Sequence, residues 1–169
     1  ARIVDLLETR YAKALRRRRH PLLGPATISV GSIHGGVQPN IVPDRCLMAA
    51  DRRTLPGETE AGVCRELRAL LRSRGLTATI RNAKTGPCNP LETDHRLPLI
   101  RQLLRQADQA RPAGVHFFCD AAVLSDGGVP SVVFGPGDIA QAHTAREWVS
   151  IRSLDRAVDL LVGFLRSLP

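Results

Sequence analysis

The stretch GSIHGGVQPNIVPDRCLMAADRRTLPGE, residues 31–58, carries the reading of the fold. Its loop, HGGVQPNIVPD (34–44), is crowded with the Gly, Pro and Asn that turn a chain, and runs of alternating apolar character lie on either side. ATISVGSI (26–33) and RCLMAADRRTL (45–55) are therefore expected strands joined by that loop. Pro56-Gly57 breaks the second.

Both flanks of this hairpin read as helices. Upstream, Ile3, Leu6, Leu7, Tyr11 and Leu15 recur at helical spacing across residues 2–16, and His20-Pro21 and Gly24-Pro25 close that helix. Downstream, Thr59 caps a helix with Val63, Leu67, Leu70 and Leu71 on one face, which Gly75 ends. LTATIRNA (76–83) alternates as a third strand. Helix, strand, strand, helix, strand is an α+β layer. It lacks only the first strand of a symmetric βαββαβ arrangement, a strand expected ahead of residue 1.

KTGPCNPLETD (84–94) has the composition of a linker, and the pattern changes beyond it. Leu97, Ile100, Leu103, Leu104 and Ala107 mark a helix whose Pro98 fits only in the first turn. VHFF (115–118) and PSVVF (130–134) read as short buried strands, with DAAVLSD (120–126) a short helix between them. Ser153 is the expected cap of a closing helix that turns Leu154, Ala157, Val158, Leu161, Phe164 and Leu165 inward. Strands alternating with helices suggest half of a doubly wound sheet, and half a sheet has an open edge that needs a partner.

The 169 residues, 43% hydrophobic, suffice for one ordinary domain or two small ones. No apolar run approaches the roughly 18–20 residues that cross a bilayer, and the first twenty residues place basic groups after apolar ones, the reverse of a secretory signal. A cytoplasmic protein with no membrane partner is expected. The net charge of +8 is almost entirely arginine, Lys13 and Lys84 being the only lysines. Nucleic-acid binding calls for basic clusters with stacking aromatics, and the chain has four Phe, one Tyr and one Trp. Its dense run, Arg16–Arg19, falls at a helix end, where solvated cations complement the dipole. No nucleic-acid partner is expected. Cys46, Cys64, Cys88 and Cys119 lie far apart without a C-x-x-C pair, the pattern of buried free thiols rather than of a zinc knuckle.

Two constellations bear on chemistry. GPGDIAQAHTAREWV (135–149) delivers one imidazole, His143, from a turn-rich loop that follows PSVVF. That is the crevice beyond a strand's carboxyl end, where open α/β sheets hold ligands; the alternative is an exposed loop histidine. A catalytic zinc takes about three protein ligands plus water. None of His20, His34, His95 and His116 stands four residues from His143, so these residues offer a ligand without a complete site. In the second constellation, the Asn40 amide offers a donor and an acceptor from the inter-strand loop. Asp51 and Arg53, two apart on one strand, share a face on which the carboxylate can orient the guanidinium. An arginine held this way suits a bidentate grip on a carboxylate. The alternative is a loop Asn and an ion pair worth at most about 1 kcal/mol if exposed.

Taken together, residues 31–58 and SDGGVPSVVFGPGDIAQAHTAREWV (125–149) resemble the co-catalytic zinc peptidases and deacylases, the family of acetylornithine deacetylase, succinyl-diaminopimelate desuccinylase, aminoacylase and carboxypeptidase G. The likeness runs from about residue 1 to residue 169 and rests on two long motifs in the right order. It implies a lid over residues 1–86, a ferredoxin-like sheet with two helices and its first strand missing, which also makes a homodimer. Residues 87–169 are then the returning C-terminal part of the α/β metallopeptidase domain.

The resemblance also implies roles. His143 resembles the last ligand of a two-zinc site in which cobalt or manganese can substitute. Asn40 and Arg53 resemble lid residues that contact substrate, Arg53 gripping its carboxylate. Gly135 and Gly137, in the turn Gly135-Pro136-Gly137, resemble the loop that brings the histidine to the metals beside the substrate. Asp120, in CDAAVL, resembles the acid of a T-D-A motif that supports the site from behind the ligands. Cys119 stands where Thr or Ser is common, and Arg146 where an acid often precedes Glu147. The family's other zinc ligands, general-base glutamate and lid histidine precede the matched region, so no catalytic residue is assigned here. The resemblance thus implies part of a metal-dependent hydrolase of amide bonds in an N-acyl amino acid or similar small carboxylate, inactive alone. The alternative is a non-catalytic dimerisation or small-molecule binding module.

Overall fold

The computed structural model describes residues 1–84, 86 and 88–169. Thr85 and Pro87, in the expected linker, lie outside the described residues. Along the chain run α1 (Arg2–Asp5), a π-helical segment (Leu6–Tyr11), α2 (Ala12–Leu15), β1 (Arg19–His20), β2 (Gly24–Pro25), β3 (Thr27–Gly35), β4 (Cys46–Arg53), α3 (Glu60–Arg72), α4 (Pro98–Gln106), α5 (Ala121–Asp126), a 3-10 turn (Ile139–Gln141) and α6 (Ile151–Arg166). They form a small α+β structure with two small antiparallel sheets, divided into two units. None of the described helices is long and apolar enough to cross a membrane.

The first unit comprises Ala1–Glu92 and Gly114–Gly127. Its opening helix carries the expected apolar stripe: Leu6, Leu7, Tyr11, Ala12 and Leu15 are buried. The stripe passes through a wider π-helical register, where the Thr9 hydroxyl donates to the Asp5 carbonyl at 2.6 Å and competes with the helical ladder. Leu7, Tyr11, Ala12 and Leu15 pack on Ala26, Ile28 and Leu55 to make the core. Leu15 is wholly buried, so truncation to Ala would cost about 2–5 kcal/mol.

The hairpin forms where the breaker-rich loop predicts it, β3 pairing with β4 antiparallel from Thr27↔Arg53 to Gly35↔Cys46. Its loop closes tightly: a Cβ on Gly35 would lie 2.9 Å from the Arg45 carbonyl, and Gly36 sits at φ +85 against Pro43. Residues directly opposite each other project to the same side. Ile28, Arg52, Val30 and Ala50 therefore share the face toward the helices, and Thr27, Arg53, Ser29 and Asp51 share the exposed one. A bulge between Val30 and Ser32 shifts the register, so that Ser32 and His34, opposite Ala49 and Leu47, join the polar face instead of turning inward.

α3 begins as predicted. Thr59 Oγ1 accepts the Gly62 N–H at 3.1 Å, Val63 and Leu71 are buried, and Leu67 and Leu70 pack against the core. The helix closes with the Leu76 N–H donating to the Leu71 carbonyl at 3.0 Å.

Beneath the sheet lies a charged network. Arg52 has a side chain only 8% exposed and reaches Glu58 at 2.6 Å, while its cation lies 6.0 Å from the centre of the Tyr11 ring. Arg18 spans Glu58 at 3.0 Å and Glu66 at 2.9 Å, and the Tyr11 hydroxyl donates to Glu66 at 3.2 Å. The Arg16–Arg19 run, expected as a solvated helix end, thus departs from that picture at Arg18, because two carboxylates from later elements meet it. Burial raises the Tyr11 phenol. Burial acts in the same direction on Glu58, but hydrogen bonds from the Leu55 N–H, Arg18 and Arg52 outweigh it and hold that carboxyl below its ordinary range.

Three expected strands are not strands. Residues 76–83, 115–118 and 130–134 belong to neither sheet. An alternating or apolar run yields a strand only where a neighbour offers a ladder; here the Ile80 carbonyl accepts from Arg68 at 3.2 Å and the His116 carbonyl from Arg53 at 2.7 Å instead.

The second unit comprises Thr93–Ala113 and Gly128–Pro169. α4 begins at Pro98, in the first turn as expected, and packs on α6. The side chain of Gln106 fills the space above Gly163, and Gln102 Nε2 donates to Ser167 Oγ at 2.7 Å. α6 is capped by Ser150, not Ser153: the Ser150 side chain accepts the Ser153 N–H at 3.1 Å, so the helix starts earlier than its apolar spacing suggests. Leu154, Val158, Leu161 and Leu165, expected to face inward, are exposed. The half-buried stripe is Ser153, Ala157, Leu160 and Phe164, because the described residues of this unit provide no sheet for the wider apolar face.

Candidate functional site

The site begins with register. Asp51 and Arg53 alternate onto the exposed face of β4, where Asp51 Oδ2 accepts from Arg53 Nε at 2.6 Å. Arg53 Nη1 donates to the His116 carbonyl at 2.7 Å, a contact that sequence spacing could not have shown across 63 residues. Arg53 Nη2 has no hydrogen-bond partner among the described residues, and the side chain is 55% exposed. The result is a planar cation fixed at two corners with its third nitrogen open, an arrangement suited to accepting a carboxylate.

Asn40 lies exposed in the β3–β4 loop, within a turn in which the Ile41 N–H donates to the Gln38 carbonyl at 3.1 Å. Asp120 precedes α5 in the same unit and is exposed; its side chain makes no capping bond. His20, a further histidine of this unit, is engaged elsewhere. Its Nδ1 accepts from the Leu22 N–H at 3.2 Å, leaving Nε2 to donate to Glu92 at 3.0 Å.

In the second unit, Gly135 and Gly137 lead to His143 through the 3-10 turn, where the Asp138 side chain accepts the Ala140 N–H at 2.9 Å. Gly137 has φ +93, and a Cβ there would press on Val149 at 3.3 Å. His143 has φ +62, the left-handed region a side chain rarely enters, and its N–H donates to Glu147 Oε2 at 3.0 Å. The imidazole is exposed. Such strain concentrates at functional positions. Only the GPG turn was visible in the sequence; the left-handed histidine and its glutamate tether were not.

Among the described residues no group of three or more His, Cys, Asp or Glu side chains converges to hold a metal ion. The residues present therefore do not fit a complete zinc centre, which needs about three protein ligands. No zinc-dependent step can be built on them.

A helix-backed antiparallel hairpin with a tethered arginine on its open face makes the first unit a small α+β domain. Comparison with known proteins narrows that class. Residues 3–79 match the peptidase dimerisation domain of the M20 family. Acetylornithine deacetylase of Myxococcus xanthus is 31% identical over 140 residues, which are 80% of this chain and 36% of that protein. N-acetyl-L-citrulline deacetylase of Xanthomonas campestris pv. campestris is 27% identical over 153 residues, 88% of this chain and 41% of that protein. An M20 family metallo-carboxypeptidase of Sulfolobus solfataricus shares the fold with a TM-score of 0.62 at 18% identity, over 83% of this chain and 35% of its own. Aminopeptidase PepT of Bacillus cereus does so with a TM-score of 0.56 at 21% identity, over 94% of this chain and 44% of its own. Residues 3–79 are thus a dimerisation domain of the M20 peptidase family, the family of peptidases and deacylases that the two motifs resemble. The chain spans about two fifths of the length of these curated relatives.

Proposed function

We propose that residues 1–86 form the dimer-making, substrate-gripping lid of a metal-dependent amidohydrolase and that residues 87–169 form the C-terminal part of its metal-binding domain. The β3–β4 hairpin with its helices is read as part of a ferredoxin-like sheet, residues 76–83 adding no strand to it here, and the later residues as part of an α/β metallopeptidase domain. The substrate class is an N-acyl amino acid or similar small carboxylate, N-acetyl-L-ornithine being the first to try. Arg53 carries this reading: its Nη2 is open to an incoming carboxylate while Asp51 and the His116 carbonyl hold its other two nitrogens.

In this reading Arg53 grips the substrate carboxylate, and Asn40 supplies an amide donor or acceptor from the hairpin loop. Fixing the substrate this way removes its freedom before the amide is attacked. Gly135 and Gly137 let the backbone approach the substrate. Asp120 supports the site from behind, and His143 is one metal ligand of a set whose other members are not among the described residues. The ion is divalent, zinc in the first instance, with cobalt or manganese as substitutes. The protein is cytoplasmic and works as a homodimer through the lid. Residues 1–169 alone do not hydrolyse the substrate.

Zinc stoichiometry tests the division of labour. Equilibrium dialysis of the 169-residue chain is expected to leave fewer than one tightly held zinc per chain, since one imidazole makes a weak site. Two tightly held ions would overturn the reading that the set is incomplete here.

A further inference from the structure

We infer that Asp51 is a positioning residue for Arg53, directing the guanidinium so that it binds a planar carboxylate through Nη2. The inference rests on the carboxylate-clamp reading above and adds what fixes the clamp's direction. Arg53 lies opposite Thr27 at the end of the hairpin, and its side chain is more than half exposed. Untethered, such a chain samples many rotamers, and ordering it on binding costs affinity. Asp51 removes that freedom through the 2.6 Å bond to Nε, and the His116 carbonyl adds a second anchor at Nη1. Nε is thereby spent on the protein. The ligand meets Nη2, whose two N–H groups have no partner among the described residues.

Asp51 also carries a negative charge beside the site, which opposes an incoming anion. Orientation and repulsion therefore predict opposite signs for its removal. If charge alone mattered, Asp51→Ala would tighten carboxylate binding. If position matters, Asp51→Ala weakens it, while Asp51→Asn, which keeps an acceptor for Nε and drops the charge, binds as well as or better than the parent.

The probes are N-acetyl-L-alanine and its primary amide, titrated into the 15N-labelled chain while the Arg53 Nε–Hε resonance is followed, assigned by its loss in Arg53→Lys. The expected result is a shift driven by the acid and not by the amide, with affinity about fivefold weaker in Asp51→Ala and unchanged or tighter in Asp51→Asn. Asp51 is exposed, so both variants keep the core, which a thermal melt verifies. Binding by Asp51→Ala as tight as the parent's would overturn the positioning role while leaving the clamp intact. No acid-specific shift in the parent chain would overturn the clamp itself and the positioning role with it.

Discussion

At the residue scale, Arg52 and Arg53 are neighbours with opposite fates. Strand alternation sends Arg53 to the open face, where a ligand can reach it, and Arg52 beneath the sheet, where it must be paired. The partner is Glu58. Burial pushes its carboxyl up, and its hydrogen bonds push it further down, so that it ends below its ordinary value. The unfolded value is about 4.3. The stability Glu58 contributes is therefore fully present above that pH and is lost as pH falls through the lower folded value. Acid unfolding of the parent should show this loss, and Glu58→Gln should flatten it; superimposable acid curves would contradict the network. The sequence revealed that Asp51 and Arg53 share a face. It did not reveal the pairing of Arg18, Arg52, Glu58 and Glu66, because those residues meet only through tertiary packing. The left-handed backbone of His143 was hidden for a different, local reason: nothing in A-H-T announces it, and the glycines before it announce only a turn.

At the scale of elements, helices and the β3–β4 hairpin were legible, since a helix closes its own hydrogen bonds and a breaker-rich loop localises a turn. The three other expected strands are absent from the sheets, because a strand's existence depends on a ladder from elsewhere in the chain. Caps lie between these cases. Thr59 sits where the sequence puts it, and Thr59→Ala should lower the stability of the first unit by about 1 kcal/mol. At α6 the structure moves the cap from Ser153 to Ser150, so Ser150→Ala should cost about 1 kcal/mol and Ser153→Ala distinctly less. Denaturant melts that reversed this order would restore the assignment made from apolar spacing.

At the scale of the molecule, burial is unevenly shared. All the described buried hydrophobic side chains, from Leu6 to Ala122, belong to the first unit. The second unit holds α4 against α6 with few buried contacts and leaves much of α6's apolar surface exposed. Local stability tracks burial. Amide hydrogen exchange should therefore be slowest in the opening helix and α3 and fastest in α6; equal protection of α6 would contradict that ranking. Arg53 lies in the first unit and His143 in the second, and the proposed grip on a carboxylate belongs to the first. The most direct test of that grip is the steady-state kinetics of Arg53→Ala on an N-acetylated amino acid, in a polypeptide that joins residues 1–169 to a full set of metal ligands. Loss of a charged hydrogen bond to substrate is expected to raise KM by about tenfold to hundredfold, with metal content and kcat nearly unchanged. A variant with the parent's KM would show that Arg53 does not hold the carboxylate.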